Sequence, residues 1–342
     1  MIASSIDLHL CHCADLAVEP HLPALFWSVA RSHPIRPPLI HFVCLGGDRA
    51  FPTRVRIEAA RHGLECHTYW LGELPESRFR GLRTYRGGCS GNPGCFYGRW
   101  LLAELLPASV DRVVYLDVDV LVQRNLRDLL ILLPKRGAVA AAPDMPFDSC
   151  PSAVYRDYYL PHLVAAGIPT RRGKMFNSGV LVLSLQRWRD EKLADRLIDT
   201  RNAMLANGVT LRFQDQDVLN VALAGEIEPI SPDWNVTPLY LPAGFWASHD
   251  LSLVNILHFV TSPKPWRGNQ WMKLPAQAVK AYANARACSE ARAEESQLWR
   301  DRFGLYEQLT DDCTIPLTPR RMRRLRELVL LPHTTEHTGA ST

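Results

Sequence analysis

The sequence predicts an α/β fold, with a mostly parallel central sheet flanked by helices and a small helical appendage at the C-terminus. Short apolar runs typical of buried strands alternate with segments of helical apolar spacing between residues 6 and 70. Such an alternation is typical of a parallel sheet covered on both faces by helices. After about residue 274 the chain becomes polar, Arg-rich and helical in its spacing, which predicts the appendage.

Five elements are predicted in the N-terminal part of the chain. They are strands at 6–13, 39–45 and 65–70 and helices at 22–32 and 52–62. The apolar residues of the first helix fall on one face, and His33-Pro34 ends it because a residue before proline disfavours the helical conformation. Gly46-Gly47 ends the second strand.

The middle of the chain contains one element of special interest. Arg112–Leu116 is a strongly apolar run that predicts a buried strand leading directly into Asp117. Before it, Ser77–Gly94 predicts a loop rich in Gly and Arg, and Phe96–Leu106 predicts a helix that stops at Pro107. The later predictions are strands at 179–185 and 254–259, helices at 188–207 and 215–223, and an irregular aromatic segment at 147–170 that is a candidate lid or acceptor segment.

Composition excludes several classes of protein. Lys and Arg exceed Asp and Glu by 39 to 35, a balance too even for a nucleic-acid-binding protein. Neither an apolar run of roughly 18 residues nor a signal-peptide pattern is present, so we expect a cytoplasmic protein that does not span a membrane. The nine cysteines are odd in number and several lie in apolar strand-like runs, so we expect free thiols in a reducing cytosol. No second Cys/His pair accompanies Cys11-His12-Cys13 at zinc-ligand spacing, which argues against a zinc site.

Two carboxylates follow the apolar strand at 112–116. Asp117 and Asp119 are separated by Val118, and strand geometry directs residues two apart to the same side. Both can therefore approach one ion at the carboxyl end of the strand, where open α/β sheets bind their ligands. Two such close negative charges favour a cation, and oxygen ligands suit Mn²⁺ or Mg²⁺. A pair of solvated carboxylates is the simpler alternative.

Three more polar segments lie at the ends of predicted elements. In Phe176-Asn177-Ser178-Gly179, a polar turn feeds a buried strand, so the Asn177 amide can reach the cleft. Gln214-Asp215-Gln216-Asp217 places several polar groups at the start of a helix, where Asp215 alternatively serves as a helix cap. His258 ends a strand and is followed by Lys264 between two prolines, which suits a metal ligand and a phosphate-binding cation.

In this order, the Asp-Val-Asp, Phe-Asn-Ser-Gly, Gln-Asp-Gln-Asp and His-to-Lys-Pro-Trp segments resemble those of glycosyltransferase family 8. That family contains glycogenin and bacterial lipopolysaccharide galactosyl- and glucosyltransferases. The resemblance covers roughly Ile6 to Trp266. It implies a single GT-A-type nucleotide-sugar-binding domain over 1–273, followed by a basic helical appendage over 274–342. It also implies a retaining hexosyltransferase that moves galactose or glucose from a UDP-sugar with the help of Mn²⁺, or of Mg²⁺.

The resemblance assigns roles residue by residue. Asp117, Asp119 and His258 would hold the metal, and Lys264 would meet the donor diphosphate. Asp15, at the end of the first strand, would lie near the uracil. The full set expected to contact the donor is Asp15, Arg99, Asp117, Val118, Asp119, Asn177, Ser178, Asp215, Gln216, His258 and Lys264.

Gln216, Asp215 and Asp217 are the expected catalytic residues. The resemblance places Gln216 beneath the anomeric carbon, but its neutral amide oxygen is a poor nucleophile. Asp215 and Asp217 are chemically better nucleophiles. We favour attack by the acceptor on the same face as the leaving group, with the leaving phosphate taking the acceptor proton.

The sequence departs from the family pattern at two positions. Asp15 is followed by Leu16-Ala17-Val18, without the tyrosine that stacks on the base in the family. Thr261 stands where the family has a glycine three residues after the metal-binding histidine. The base-stacking partner and the approach of the backbone to the phosphate are therefore open.

The basic tail predicts where the enzyme acts. The spacing around Arg320–Arg326, which contains five arginines, predicts a short amphipathic helix, and such a helix can lie on the anionic inner face of the plasma membrane. The tail favours lipopolysaccharide or another lipid-linked glycan as acceptor. A solvated charge run is the alternative for this segment.

Two other functions compete with the glycosyltransferase. A haloacid-dehalogenase-like phosphatase would use Asp117 as its nucleophile, but that fold places its motif near the start of the domain, whereas three predicted strands precede Asp117. A non-catalytic nucleotide-sugar-binding protein is the second competitor. Such a relative is expected to have lost a carboxylate or the histidine, and here all of them are present.

Overall fold

A computed structural model describes 7–46, 48–79, 82, 97–130, 132, 134, 137–144, 160–168, 175–238, 254–260, 264–265 and 276–303. The strands are β1 (His9–Ala14), β2 (Leu39–Cys44), β3 (Glu65–Trp70), β4 (Arg112–Leu116), β5 (Val120–Val122), β6 (Val139–Pro143), β7 (Phe176–Ser184), β8 (Glu228–Pro229) and β9 (Ile256–His258). The α-helices are α1 (Leu22–Ser32), α2 (Phe51–Arg61), α3 (Glu76–Phe79), α4 (Leu102–Leu105), α5 (Arg127–Leu130), α6 (Leu160–Ala166), α7 (Leu185–Asp190), α8 (Leu193–Ala206), α9 (Asp215–Ala222) and α10 (Ala276–Phe303). Short 3₁₀ helices cover Leu16–His21, Leu71–Glu73, Gly98–Leu101 and Pro232–Trp234.

The main sheet has seven strands in the order β3-β2-β1-β4-β7-β6-β8. The pairs β1–β2, β2–β3, β1–β4 and β6–β8 are parallel, whereas β7 runs antiparallel to both β4 and β6. The prediction of a mostly parallel sheet flanked by helices is therefore confirmed. Because β7 is reversed, its first residues lie beside the carboxyl end of β4, with Leu116 paired to Val180.

A second sheet joins β5 and β9 in antiparallel register, with Val120 opposite His258. Asp119 directly precedes β5, and His258 ends β9. This pairing brings together two polar residues that are far apart in the chain.

The inner strands of the main sheet are buried on both faces, as expected for strands covered by helices, whereas the edge strands β3 and β8 are only partly buried. In β4, Val113 and Tyr115 belong to one hydrophobic cluster, and Val114 and Leu116 belong to the cluster on the opposite face. The strong apolar run that predicted this strand is thus explained by its central position.

Several element boundaries follow the prediction closely. The helix at 22–32 and the strands at 65–70 and 112–116 are confirmed. The first strand is His9–Ala14 rather than 6–13, and β7 begins at Phe176 rather than Gly179. The shift in β7 matters because Asn177 and Ser178 are strand residues and not a turn.

Other boundary predictions are wrong. The single helix expected at 188–207 is two helices, α7 and α8, because the backbone of Lys192 turns into the left-handed region with a φ of 51°. The helix expected at 96–106 is the 3₁₀ helix Gly98–Leu101 followed by α4. The segments at 77–94 and 147–170, expected to be irregular, contain part of α3 and all of α6, and most of their other residues lie outside the described part.

The predicted C-terminal helix is present as α10. Its first half packs on the rest of the fold, because Ala278, Tyr282 and Ala285 share a buried cluster with Leu121 and Leu257. The boundary predicted after residue 273 stays a prediction. The basic segment Arg320–Arg326 lies outside the described residues.

Among the described helices, none combines the length and apolarity needed to cross a bilayer. The described cysteines are free thiols, as predicted: Cys11, Cys13, Cys44, Cys66 and Cys288. Cys89, Cys95, Cys150 and Cys313 lie outside the described residues.

Candidate active site

The polar residues singled out from the sequence converge where β4 ends, β7 begins and β9 ends. The backbone N–H of Asp117 donates to the Gly179 carbonyl over 2.7 Å, which fixes the end of β4 against the start of β7. The pairing of β5 with β9 then places His258 beside Asp119. Three separate elements thus contribute to one cluster.

Asp117, Asp119 and His258 form a group suited to a metal ion, with one donor atom of each lying within 4.8 Å of the others. His258 Nε2 lies 3.2 Å from Asp119 Oδ1 and 3.7 Å from Asp117 Oδ2. Ligands bound at roughly 2.1 Å from one ion are separated by about 3 to 4.2 Å, so these spacings fit a shared divalent cation. Two carboxylates and one imidazole are also a donor set that Mn²⁺ accepts.

The tautomer of His258 is the one that suits metal binding through Nε2. The Asn235 side-chain amide donates to Asn177 Oδ1 over 2.8 Å, so its oxygen faces His258 Nδ1, also at 2.8 Å. An amide oxygen only accepts, and His258 Nδ1 must therefore carry the hydrogen. In the neutral form that a metal ion requires, His258 would then carry its lone pair on Nε2, facing the two carboxylates, as in metal sites where a partner orients the histidine.

Each carboxylate of the pair also has a cationic protein partner. Lys264 Nζ contacts Asp119 Oδ2, and Arg99 Nη2 lies 2.9 Å from Asp117 Oδ1, which also accepts from the Tyr115 hydroxyl over 2.7 Å. Burial works to raise the pKa of Asp119, but Lys264 and His258 outweigh it and hold that pKa well below its usual range. Asp119 is therefore ionised, with Oδ1 left for a metal.

Arg99 lies buried between two carboxylates. Its Nε is 3.2 Å from Asp215 Oδ2, and its guanidinium lies over the Tyr115 ring at 4.6 Å from the centroid. Burial alone would lower the pKa of Arg99, but Asp117 and Asp215 raise it above the usual value. Arg99 also donates to the Ser178 carbonyl, so it ties the start of β7 to the end of β4.

Asp215 and Gln216, the first residues of α9, face the same cluster. Burial raises the pKa of Asp215 to about 6 against the opposing effect of Arg99. Within the described residues, its Oδ2 has no hydrogen-bond partner although it is buried. Gln216 Nε2 donates to Asp144 Oδ2 over 2.8 Å, and its Oε1 accepts from the Ser178 N–H over 3.2 Å.

Asp144 is a site residue that the sequence reasoning missed. It follows β6, accepts from Gln216, and also accepts from the Asn177 amide over 3.3 Å. Burial raises the pKa of Asp144 to about 6, although these two hydrogen bonds favour the charged form. Buried carboxyls whose pKa values lie near neutrality are frequent in active sites. The signal for Asp144 was available in the sequence, because an Asp at the end of the apolar run Val139–Pro143 repeats the arrangement at Asp117.

Asn235 was missed as well. Asn235 follows the short 3₁₀ helix Pro232–Trp234, and no local pattern distinguishes it from any other loop asparagine. Its position beside His258 depends on tertiary structure alone.

Asp217 has partners of its own. Its Oδ2 accepts from the Phe213 N–H over 2.9 Å, and its Oδ1 lies 3.0 Å from His162 Nε2. The side chain is fully buried. Through these contacts Asp217 stabilises the start of α9. Its expected catalytic role stays a prediction.

The remaining predicted residues lie around the cluster. Asp15 is buried at the end of β1, where Oδ1 caps the 3₁₀ helix by accepting from the Ala17 N–H over 3.0 Å. Val118 lies between the two acidic ligands, and Lys264 also donates to the Phe259 carbonyl. Thr261 lies outside the described residues.

Comparison with known proteins places this cluster inside a recognised family. The model of the family described as "Glycosyl transferase family 8" matches residues 94–270, just over half of the chain. This range contains Arg99, Asn177, Gln216 and the three proposed metal ligands.

Individual relatives agree with the family match. Lipopolysaccharide 1,2-glucosyltransferase of Escherichia coli (strain K12) is 29% identical over 192 residues, which cover 54% of this chain and 52% of that relative. The chain thus matches about half the length of this curated relative. General stress protein A of Bacillus subtilis (strain 168) is 26% identical over 278 residues, covering 77% of this chain and 88% of that protein.

The fold has solved counterparts. The galactosyltransferase LgtC, crystallised with donor and acceptor sugar analogues, superimposes with a TM-score of 0.63 at 20% identity. The match covers 82% of this chain and 96% of that one. The predicted GT-A-type fold is thereby confirmed.

Proposed function

The chain belongs to glycosyltransferase family 8, and we propose that it is a metal-dependent, retaining hexosyltransferase that moves galactose or glucose from a UDP-sugar to a glycan acceptor. The observation that carries this proposal is the cluster of Asp117, Asp119 and His258, with the His258 lone pair turned toward both carboxylates. A diphosphate donor needs such a cation, because its own charge would be repelled by the carboxylates.

The metal is proposed to be Mn²⁺, with Mg²⁺ as the alternative. Asp117 Oδ2, Asp119 Oδ1 and His258 Nε2 would hold it. When bound, the ion would neutralise the negative charge that grows on the diphosphate leaving group. Lys264, already beside Asp119, is placed to share in that neutralisation.

The donor sugar is proposed to lie over the start of β7 and α9. Asp215 Oδ2 is buried and faces Arg99 Nε at 3.2 Å, but it makes no hydrogen bond of good geometry within the described residues, so it can accept a sugar hydroxyl. Asn177 and Arg99 would contact the same donor. Gln216 is held at both ends of its amide by Asp144 and by Ser178, which suits a group that must stay fixed beneath the anomeric carbon. Asp15 and Val118 would contact the nucleoside part.

For the chemical step, we favour attack by an acceptor hydroxyl on the face from which UDP departs. The bond from the anomeric carbon to the phosphate oxygen breaks, the new glycosidic bond forms, and a leaving-phosphate oxygen takes the hydroxyl proton. The buried carboxylates Asp144 and Asp215 would stabilise positive charge on the sugar, as in glycoside hydrolysis. Trapping a sugar on Asp215 or Asp217 would contradict this step.

The acceptor is proposed to be lipopolysaccharide or another lipid-linked glycan. The Escherichia coli relative is a lipopolysaccharide glucosyltransferase, which supports this choice. The proposal places the enzyme in the cytoplasm, with Arg320–Arg326 in contact with the inner face of the membrane. Those arginines lie outside the described residues.

The donor is identified by measuring UDP release from a panel of UDP-sugars, with Mn²⁺ and with a chelator. We expect slow, Mn²⁺-dependent release of UDP from one donor, UDP-galactose or UDP-glucose. The product formed with an added glycan is expected to keep the anomeric configuration of the donor by NMR. Binding without any turnover would favour a non-catalytic nucleotide-sugar-binding protein. Hydrolysis of simple phosphate esters alone would favour a haloacid-dehalogenase-like phosphatase, against which the family membership already argues.

A further inference from the structure

The small sheet of β5 and β9 shares a hydrophobic cluster with the C-terminal helix. Asp119 precedes one strand and His258 ends the other, and Leu121 and Leu257 are paired between them. Both leucines are buried in one cluster with Tyr282 of α10. The helix therefore packs in the same cluster as the sheet that presents two of the three proposed metal ligands.

The packed face of α10 is a regular stripe. Ala278, Tyr282, Ala285 and Ser289 are buried and follow the spacing of one helical face. Ser289 Oγ lies 3.2 Å from His62 Nε2 of the segment after α2, which anchors the stripe at its far end. The matched family region ends at residue 270, so this face belongs to a part of the chain beyond it.

Tyr282 contacts the metal-binding segment through His21. The two rings are stacked with centroids 5.3 Å apart and an interplanar angle of 16°, and the Tyr282 hydroxyl lies 3.1 Å from His21 Nδ1. The buried His21 ring lies close to the backbone of Val118 and Val120, which flank Asp119 on both sides. This is the first of two paths from α10 to the metal ligands.

The second path runs through Phe259. Its ring meets the Tyr282 ring edge to face, with centroids 5.9 Å apart at 79°. The Phe259 N–H donates to the Asp119 carbonyl over 2.9 Å, and the Phe259 carbonyl accepts from Lys264. The Tyr282 side chain thus contacts both His21 and Phe259, which lie against the backbone around Asp119.

We propose that Tyr282 is a positioning residue that holds Asp119, His258 and Lys264 in the geometry needed to bind a divalent cation with UDP. The inference rests on the metal site in the proposed function. It adds that the C-terminal helix, outside the matched family region, is part of the catalytic unit. Groups that orient metal ligands without touching the ion commonly change metal affinity by about 10- to 100-fold.

The test compares three full-length proteins: wild type, Tyr282→Leu and Tyr282→Phe. Mn²⁺ is titrated into each protein with saturating UDP, and free Mn²⁺ is followed by its EPR signal against a blank of UDP alone. We expect Tyr282→Leu to weaken Mn²⁺ binding roughly ten-fold. Tyr282→Phe keeps both ring contacts and loses the hydroxyl contacts with His21 and Arg286, so we expect a smaller loss.

Phe51→Leu is the matched control for general destabilisation. Phe51 is fully buried at the start of α2, and its ring meets Phe42 rather than the metal site. We expect this variant to lose thermal stability while keeping wild-type Mn²⁺ affinity. Folded Tyr282→Leu with wild-type affinity, or an equal loss of affinity in Phe51→Leu, would overturn the positioning role. Failure of the wild-type protein to bind Mn²⁺ would instead overturn the metal site on which the inference rests.

Discussion

Replacing Asp119 by Asn should lower Mn²⁺-dependent release of UDP by a factor on the order of 10³. Asparagine keeps the shape of the side chain but removes the charge that faces His258 Nε2 at 3.2 Å. It also leaves Lys264 without the carboxylate it contacts, so the change affects the metal and the phosphate-binding cation together. The measurement is the initial rate of UDP release at several Mn²⁺ concentrations.

Asp7→Asn is the control for this substitution. Asp7 pairs with Arg36 at 2.6 Å, and its side chain is 75% exposed. Exposed ion pairs contribute little to stability, so wild-type turnover is expected. If Asp119→Asn retained the wild-type rate and the wild-type dependence on Mn²⁺, Asp119 would not be a metal ligand.

Replacing Gly179 by Ala should reduce the same activity by about 100-fold, because a misplacement of about 1 Å at a catalytic site has effects of that size. A Cβ atom at Gly179 would lie 2.2 Å from His258 Cε1 and 2.8 Å from Asp117 Oδ2. Both distances are shorter than real contacts of a Cβ atom, so two of the proposed metal ligands must move. Rates and Mn²⁺ affinity measured on the purified, folded variant give the result.

Gly137→Ala offers a steric control away from the site. A Cβ atom there would lie 2.3 Å from the Glu226 carbonyl oxygen, so this variant should also be strained. We expect Gly137→Ala to lose thermal stability but to keep its Mn²⁺ affinity. Equal losses of Mn²⁺ affinity in both variants would show that the effect of Gly179→Ala is general strain.

The parts of the fold that sequence could predict are those with a local signal. Four consecutive residues, Val113–Leu116, are apolar because β4 is covered on both faces, and Asp117 follows them directly. The direction of β7 and the pairing of β5 with β9 carry no such signal. Both features depend on contacts between segments that are distant in the chain. The segments that form the β5–β9 pair are more than 100 residues apart. No residue spacing within a single strand encodes such contacts.

The candidate site divides in the same way. Asp117, Asp119, Asn177, Asp215, Gln216 and His258 were named from motifs, and the structure brings them together. Asp144 follows a strand as Asp117 does, so this signal was available, but a single carboxylate without a second nearby does not by itself indicate a metal site. Asn235 contacts His258, and Tyr282 contacts His21, and both contacts are between segments distant in the chain. Oriented partners of this kind are visible only once the chain is folded.

The most direct test of the metal site is the anomalous scattering of manganese, measured from crystals of the full chain grown with Mn²⁺ and UDP. We expect one strong peak within about 2.2 Å of Asp117 Oδ2, Asp119 Oδ1 and His258 Nε2, with the UDP diphosphate completing the coordination. A manganese peak at another place, or bound UDP without manganese between these three side chains, would contradict a metal-dependent transferase built on this cluster.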